Sequence, residues 1–173
     1  METMIPAWID GKLTPVEKLK AHVKGFRHKA VSVFLIHDGK VLIQQRAAGK
    51  YHTPNLWANT CCTHPHWGED PADCAVRRLE DELGITGVAP IWAELLEYRA
   101  DVGDGLVEHE VVDLFVAHCD ELPALSLNPD EVQATRWISQ EDLNNEISEA
   151  PEKFTPWLRI YMENHAKSVF GPT

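Results

Sequence analysis

The chain has 173 residues, 44% of them hydrophobic, and a formal net charge of −11, which fits one domain of ordinary size with a real core. That charge argues against nonspecific nucleic-acid binding, which depends on basic surface, but a local Lys/Arg cluster can still hold a small anion. No apolar run approaches the ~20 residues of a membrane span. Residues 1–6 also lack the basic and apolar regions of a signal peptide. The chain is therefore expected to work in the cytoplasm, with neither nucleic acid nor membrane as partner. Its cysteines, Cys61, Cys62, Cys74 and Cys119, form no CxxC pair, so reduced thiols are expected rather than a cysteine-based zinc finger.

In chain order, residues 1–29 read as an N-terminal arm, 30–140 as a core and 141–173 as a C-terminal helical segment of a single domain. Within the arm, Pro15–His22 is a short helix candidate with Thr14 as N-cap. Ala30–Ile36 and Val41–Arg46 are β-rich and flank Asp38-Gly39, a good hairpin signal. Residues 47–58 read as a loop, and a short strand is expected near 59–62. From Asp70 the pattern turns helical: Asp70 caps, Pro71 suits the first turn, Ala72, Ala75, Val76, Leu79 and Leu83 share one face, and Gly84 stops the helix. Strands follow at 91–100 and 106–118, then a polar turn over 128–133 and a short strand at 135–138. Ser139 opens a helix by a Ser-x-x-Asp cap. A last, aromatic-rich helix is expected over 154–170. A mixed sheet with helices on both sides, an α+β fold, fits this order.

Two groups of residues carry chemistry. On the 71–84 helix, Arg78 and Glu82 are four apart and project from one face. Taken alone, such a pair is better read as an exposed salt-bridged face. Glu108 and Glu110 are two apart in a β-rich run, so both carboxylates face one way, able to reach one ion, while His109 points away. A wet sheet face is the other reading of that pair.

The wider spacing is more specific. Thr63-x5-Glu69-x7-Arg77-Arg78-Leu79-Glu80-Asp81-Glu82-Leu83-Gly84-Ile85 resembles the Nudix box, Gly-x5-Glu-x7-Arg-Glu-U-x-Glu-Glu-x-Gly-U. Thr63 replaces the first Gly, Asp81 a Glu, and Arg78 a Glu of the metal-holding carboxylate cluster. A site with one carboxylate fewer and one Arg more is suited to gripping a diphosphate rather than cutting it. Asn59-Thr60-Cys61-Cys62-Thr63-His64-Pro65, Tyr98-Arg99-Ala100 and Glu108-His109-Glu110-Val111 are similar to signature stretches of the type I isopentenyl-diphosphate Δ-isomerase family. That family lies in the Nudix superfamily and shows the same Arg. The resemblance covers about Lys18 to Trp157.

The resemblance implies an α/β/α sandwich with a mixed sheet and an N-terminal metal-binding arm. It implies a metal site of His22, His28, His64, Glu108 and Glu110, taking Mn²⁺, Mg²⁺ or Zn²⁺. A second Mg²⁺ would arrive with the substrate diphosphate, held by Glu82 and the Cys62 carbonyl. Cys62 and Glu110, with Tyr98 beside the Glu, match catalytic positions. Lys18, Arg46, Lys50 and Arg78 match contacts to the diphosphate, and Trp157 an active-site aromatic. The implied activity is interconversion of isopentenyl and dimethylallyl diphosphate by proton addition and removal through a carbocation. The implied partner is that small diphosphate, with the chain a monomer or weak homodimer. A Nudix hydrolase of a nucleotide or other diphosphate is the alternative, and a noncatalytic metal-binding module a third reading. Cys61, Cys74 and Cys119 are expected to be packing residues. His37, His52, His66, His109, His118 and His165 are expected to serve surface or packing roles.

Overall fold

A computed structural model describes residues 2–172 of the chain. Its first element is a hairpin: β1 (Met4–Ile9) pairs antiparallel with β2 (Lys12–Glu17). Asp10 and Gly11 turn it at φ of 49° and 77°, the two left-handed positions of a two-residue hairpin loop. The helix expected over Pro15–His22 thus starts too early. Pro15 lies in β2, an edge strand, where a missing N–H is tolerated. Helix α1 runs Lys18–Lys24, and its cap is Glu17, not Thr14. The Glu17 carboxylate accepts from the N–H groups of Leu19 and Lys20 at 2.8 and 2.7 Å. Ile5, Ala7, Val16 and Ala21 form a small core between hairpin and helix.

The main sheet is built around β3 (Arg27–His37). It turns through Asp38-Gly39 into β4 (Lys40–Arg46), as the Asp-Gly signal predicts. Next come β5 (Trp57–Ala58), β6 (Cys61–Thr63), helix α2 (Pro71–Leu83), β7 (Ile91–Asp101), β8 (Val107–His118) and β9 (Val132–Ser139). Three helices finish the chain: α3 (Gln140–Glu149), α4 (Pro156–Asn164) and α5 (Ala166–Phe170). β3 pairs in parallel with β8 and antiparallel with β4 and β6. β8 carries β7, and β4 carries β5 and β9.

β3 is buried on both faces, as the continuous apolar run of a strand with a parallel neighbour implies. Its alternate residues Val31, Val33 and Leu35 pack with Cys74, Ala75, Leu79 and Leu83 of α2. Phe34 and Ile36 join Trp157, Leu158 and Tyr161 of α4 on the other side. The result is the α/β/α sandwich. Leu79 and Leu83 are fully buried and each stabilises the fold by roughly 1.5–3 kcal/mol.

Two helices differ from expectation. In α2, Ala72 and Val76 are exposed and Cys74 is buried. The apolar row 75–79–83 is flanked by 74–78–82, not by 72–76, so Arg78 and Glu82 lie at the rim of the core. Gly84 ends α2 at φ 67°, and a Cβ there would come within 2.7 Å of Ser126 Cβ. The C-terminal helix begins at Pro156, capped by Thr155, and breaks at His165. There Glu94 of β7 contacts His165 Nδ1 at 3.0 Å and accepts from Ser168 Oγ at 2.7 Å, tying the break to the sheet.

Candidate active site

Strand register assembles the centre. His28 of β3 lies opposite Glu110 of β8, which lies opposite Tyr98 of β7. Glu108 is two residues from Glu110 on the same face, and both are buried. The Tyr98 hydroxyl is 2.7 Å from Glu108 Oε2 and 2.8 Å from Glu110 Oε2. His109 turns outward to Glu97, as alternation predicts. From α1, Lys18 and His22 share one face four residues apart, while Leu19 and Val23 are exposed.

β6 delivers the thiol. Asn59 Nδ2 donates to the carbonyls of Val33 and Cys61. Thr60 Oγ1 accepts from Leu35 N–H and donates to the Leu42 carbonyl. These bonds fix the approach of β6, so Cys62 falls opposite Ser32 and Cys61 opposite Val33. Cys61 packs under α2, as expected of an extended pair, whereas Cys62 opens into a cleft. Ser32 Oγ donates to Cys62 Sγ at 3.2 Å and lies 2.8 Å from the Tyr161 hydroxyl.

The imidazoles are arranged as cation ligands. His22 Nδ1 and His28 Nδ1 each lie 2.7 Å from a backbone carbonyl, of Lys18 and Phe26. A carbonyl only accepts, so Nδ1 holds the proton and Nε2 is left free to bind. His22, His28, His64 and Glu110 offer ligand atoms all within 4.8 Å of one another. Glu108 groups instead with His22 and His52. His52, expected to have a surface or packing role, is 4% exposed with Nε2 2.9 Å from Glu108 Oε1. His28 Nε2, His52 Nε2 and His64 Nδ1 are buried without hydrogen-bond partners. Such orphans cost about 1–3 kcal/mol each, and a divalent cation relieves those facing it. The donor set, imidazoles with carboxylates, suits such an ion.

The electrostatics agree with that fit. Burial, and beyond it the neighbouring imidazoles of His22 and His28, hold His64 well below its ordinary value, so its ring is neutral. Burial, reinforced by Glu108, pushes the Glu110 carboxyl up. Burial opposes charge on Glu108 too, but His22 and His52 outweigh it and hold that carboxyl well below the usual range. Burial and then the two carboxylates push the Cys62 thiol up.

A cleft opens beside this centre. It brings together the expected anion contacts, Lys18, Arg46, Lys50 and Arg78, and the expected aromatic, Trp157, with Cys62, His64, Glu82 and Glu108. Arg78 donates to Glu82 at 2.6 Å, and Gln44 Nε2 donates to the same carboxylate at 2.8 Å. Lys50 pairs with Glu131. Arg46 donates to the carbonyls of His52 and Thr53, and its guanidinium lies 5.2 Å from the Trp157 ring centre. By contrast Arg77, next to Arg78, faces away and binds Glu69 at 2.6 Å, holding that carboxyl down at about 2. That Nudix-box pair is structural.

Residues 26–158 match the NUDIX domain family model. A protein of Cereibacter sphaeroides (strain ATCC 17025 / ATH 2.4.3) named isopentenyl-diphosphate Delta-isomerase is 61% identical over 171 residues, covering 99% of this chain and 97% of its own. The chain belongs to the isopentenyl-diphosphate Delta-isomerase family of NUDIX proteins. A family member from Ruegeria pomeroyi is 59% identical, with 99% of this chain and 96% of that one covered. Solved structures share the fold at low identity. DR0079 from Deinococcus radiodurans superposes with a TM-score of 0.69 at 16% identity, over 94% of this chain and 98% of its own. A MutT NUDIX hydrolase from Burkholderia pseudomallei gives 0.60 at 24%, over 80% and 98%.

Sequence reasoning missed Ser32, Gln44, His52, Glu131 and Tyr161 around this family site. A signal existed for two of them. Ser32 shares its strand face with Phe34, and Gln44 shares one with Leu42, so each is a polar residue at a core-facing position.

Among the described residues, no helix is long and apolar enough to cross a membrane.

Proposed function

We propose that this chain interconverts isopentenyl diphosphate and dimethylallyl diphosphate by adding a proton to one carbon and removing one from another. One observation carries the reading. Cys62 and Glu108 line one cleft whose cations fit a diphosphate, and the Tyr98 hydroxyl joins Glu108 to the buried Glu110 behind it. The names of the relatives support it.

Lys18, Arg46, Lys50 and Arg78 bind the diphosphate, and Glu82 with the Cys62 carbonyl would hold the Mg²⁺ that comes with it. Glu131 holds Lys50 and Arg78 in place before substrate arrives. His22, His28, His64, Glu108 and Glu110 would hold a second divalent ion, Mn²⁺, Mg²⁺ or Zn²⁺. When bound, that ion supplies positive charge that fixes the carboxylates and tunes their acidity.

The alkene is unactivated, so the acid must be close and water excluded. Glu110, protonated and oriented by Tyr98, delivers a proton to the terminal methylene. The tertiary cation that forms lies against the Trp157 face, worth about 0.5–2 kcal/mol. Cys62 as thiolate removes the proton from the neighbouring carbon, leaving the dimethylallyl product. Ser32 O–H and Arg46 favour that thiolate but counter only part of the push from burial, Glu110 and Glu108. Return of the proton to Glu110 resets the site.

Incubating the protein with isopentenyl diphosphate and Mg²⁺ tests this. Dimethylallyl diphosphate is expected without phosphate release; release of orthophosphate would instead indicate a hydrolase.

A pH effect follows from the anion-binding end. Burial and then Lys50 lower Lys18 to about 8. The ammonium is present below that pH and lost above it, so KM is expected to rise as pH passes through about 8. Lys18→Arg keeps its charge and should flatten the rise. An identical KM profile in both proteins would remove Lys18 from diphosphate binding.

A further inference from the structure

We propose that His52 is a ligand of the metal centre, binding through Nε2 beside Glu108. This rests on the proposed His/Glu metal site and adds an imidazole to it. His52 sits in the loop between β4 and β5, where the sequence pattern marks no ligand, and the loop carries it into the centre. Its ring centre is 5.7 Å from that of His22.

The contact with Glu108 has the geometry of neighbouring ligands. Two donors about 2.1 Å from one ion, at right angles or tetrahedral, lie about 3–3.5 Å apart. His52 Nε2 is 2.9 Å from Glu108 Oε1, and His22 Nε2 is 3.7 Å from the same oxygen. Yet His52 Nε2 has no hydrogen-bond partner, because an N–H placed there does not point at the carboxylate. His28 Nε2 shows the same pattern, 3.5 Å from Glu110 Oε1 and equally unpartnered.

Neither neutral tautomer of His52 satisfies both ring nitrogens. Nδ1 lies 2.8 Å from Thr53 Oγ1. If Nδ1–H donates to Thr53, the Nε2 lone pair faces a carboxylate oxygen. If the Thr53 hydroxyl donates to Nδ1, the proton on Nε2 is misaimed and buried. A cation between Nε2 and Oε1 resolves the first case and leaves Nδ1–H bonded to Thr53, the usual arrangement of a metal-bound imidazole.

His22 Nε2 serves one ion only, since its Nδ1 is committed to the Lys18 carbonyl. His22 is common to the two ligand groups, so one ion bound there would draw Glu108 and His52 in toward His28, His64 and Glu110, from which they now stand apart. The loop is held for this purpose. Thr53 adopts φ 46°, unusual for a β-branched residue, and Arg46 grips the carbonyls of both His52 and Thr53. The metal centre and the diphosphate-binding Arg46 thus meet at one residue.

The test is imidazole ¹⁵N NMR of the full chain titrated with Zn²⁺ alone, with the His52 signals assigned by their loss in His52→Gln. A metal-bound nitrogen resonates between the protonated and lone-pair extremes, and His52 Nε2 is expected to move there together with nitrogens of His22, His28 and His64. His52→Gln and His52→Ala are each expected to weaken Zn²⁺ and Mn²⁺ binding by about 10–100-fold in chelator competition. If the other three histidines shift while His52 Nε2 does not, His52 is no ligand and this inference falls alone. Failure of the wild-type chain to bind either ion overturns the metal-site reading and this inference with it.

Discussion

Glu110→Gln is expected to lower kcat by about 10³-fold or more, close to 4 kcal/mol in the barrier, with the fold retained. Gln keeps the shape and can still bond Tyr98, but it has no proton to give an alkene. Cys62→Ala should cost turnover on the same scale. Cys62 is half-buried at the cleft wall, and β6 is held by Asn59, Thr60 and its backbone pairing with β3, so the fold does not depend on the thiol. Both variants should keep the wild-type affinity for inorganic diphosphate, because neither side chain is among the cations. The measurement is steady-state kinetics beside diphosphate binding and circular dichroism. Near-normal kcat in either variant removes that residue from proton transfer.

Arg78→Glu is expected to raise KM by about 10²-fold through loss of charge-assisted bonds to the diphosphate, worth about 1.5–3 kcal/mol each. It also places a third carboxylate beside Glu82 and Glu131, which now lie 2.6 and 3.5 Å from the guanidinium. Stability should therefore fall, by up to ~3 kcal/mol, when Glu82 loses its buried partner. Arg78→Gln separates the two effects: it loses the anion contact without adding the repulsion. Unchanged KM in both variants would show that Arg78 serves the helix alone. Restoring a carboxylate at this position also tests whether the departure from the Nudix box favours gripping over cutting. Diphosphate hydrolysis by Arg78→Glu is a sensitive readout of that.

The sheet was legible because its pattern is redundant. Ala30–Ile36 is apolar throughout, and the Asp38-Gly39 turn marks the hairpin. Asp10-Gly11 carries the same signal, but Pro15 after Thr14 imitates a helix start just beyond it. The helix itself begins three residues later, at Lys18. The C-terminal break at His165 was not legible, since its cause is Glu94, about seventy residues away in sequence. In the site, Glu108 and Glu110 were readable from i, i+2 alternation, and Arg78 and Glu82 from i, i+4 spacing. Lys18, His22, His64 and Trp157 came from resemblance, because distant segments meet only through the sandwich. His52 escaped both routes. Its position depends on a loop held by Arg46 and a left-handed Thr53, and no periodicity encodes that.

The central claim is that a proton is added and another removed while the diphosphate is held intact. NMR of isopentenyl diphosphate converted by the metal-loaded protein in D₂O tests it most directly. The account predicts dimethylallyl diphosphate with deuterium in a methyl group, in step with turnover. Product formed without solvent deuterium, or substrate left unconverted by protein shown to hold its metal, would contradict it.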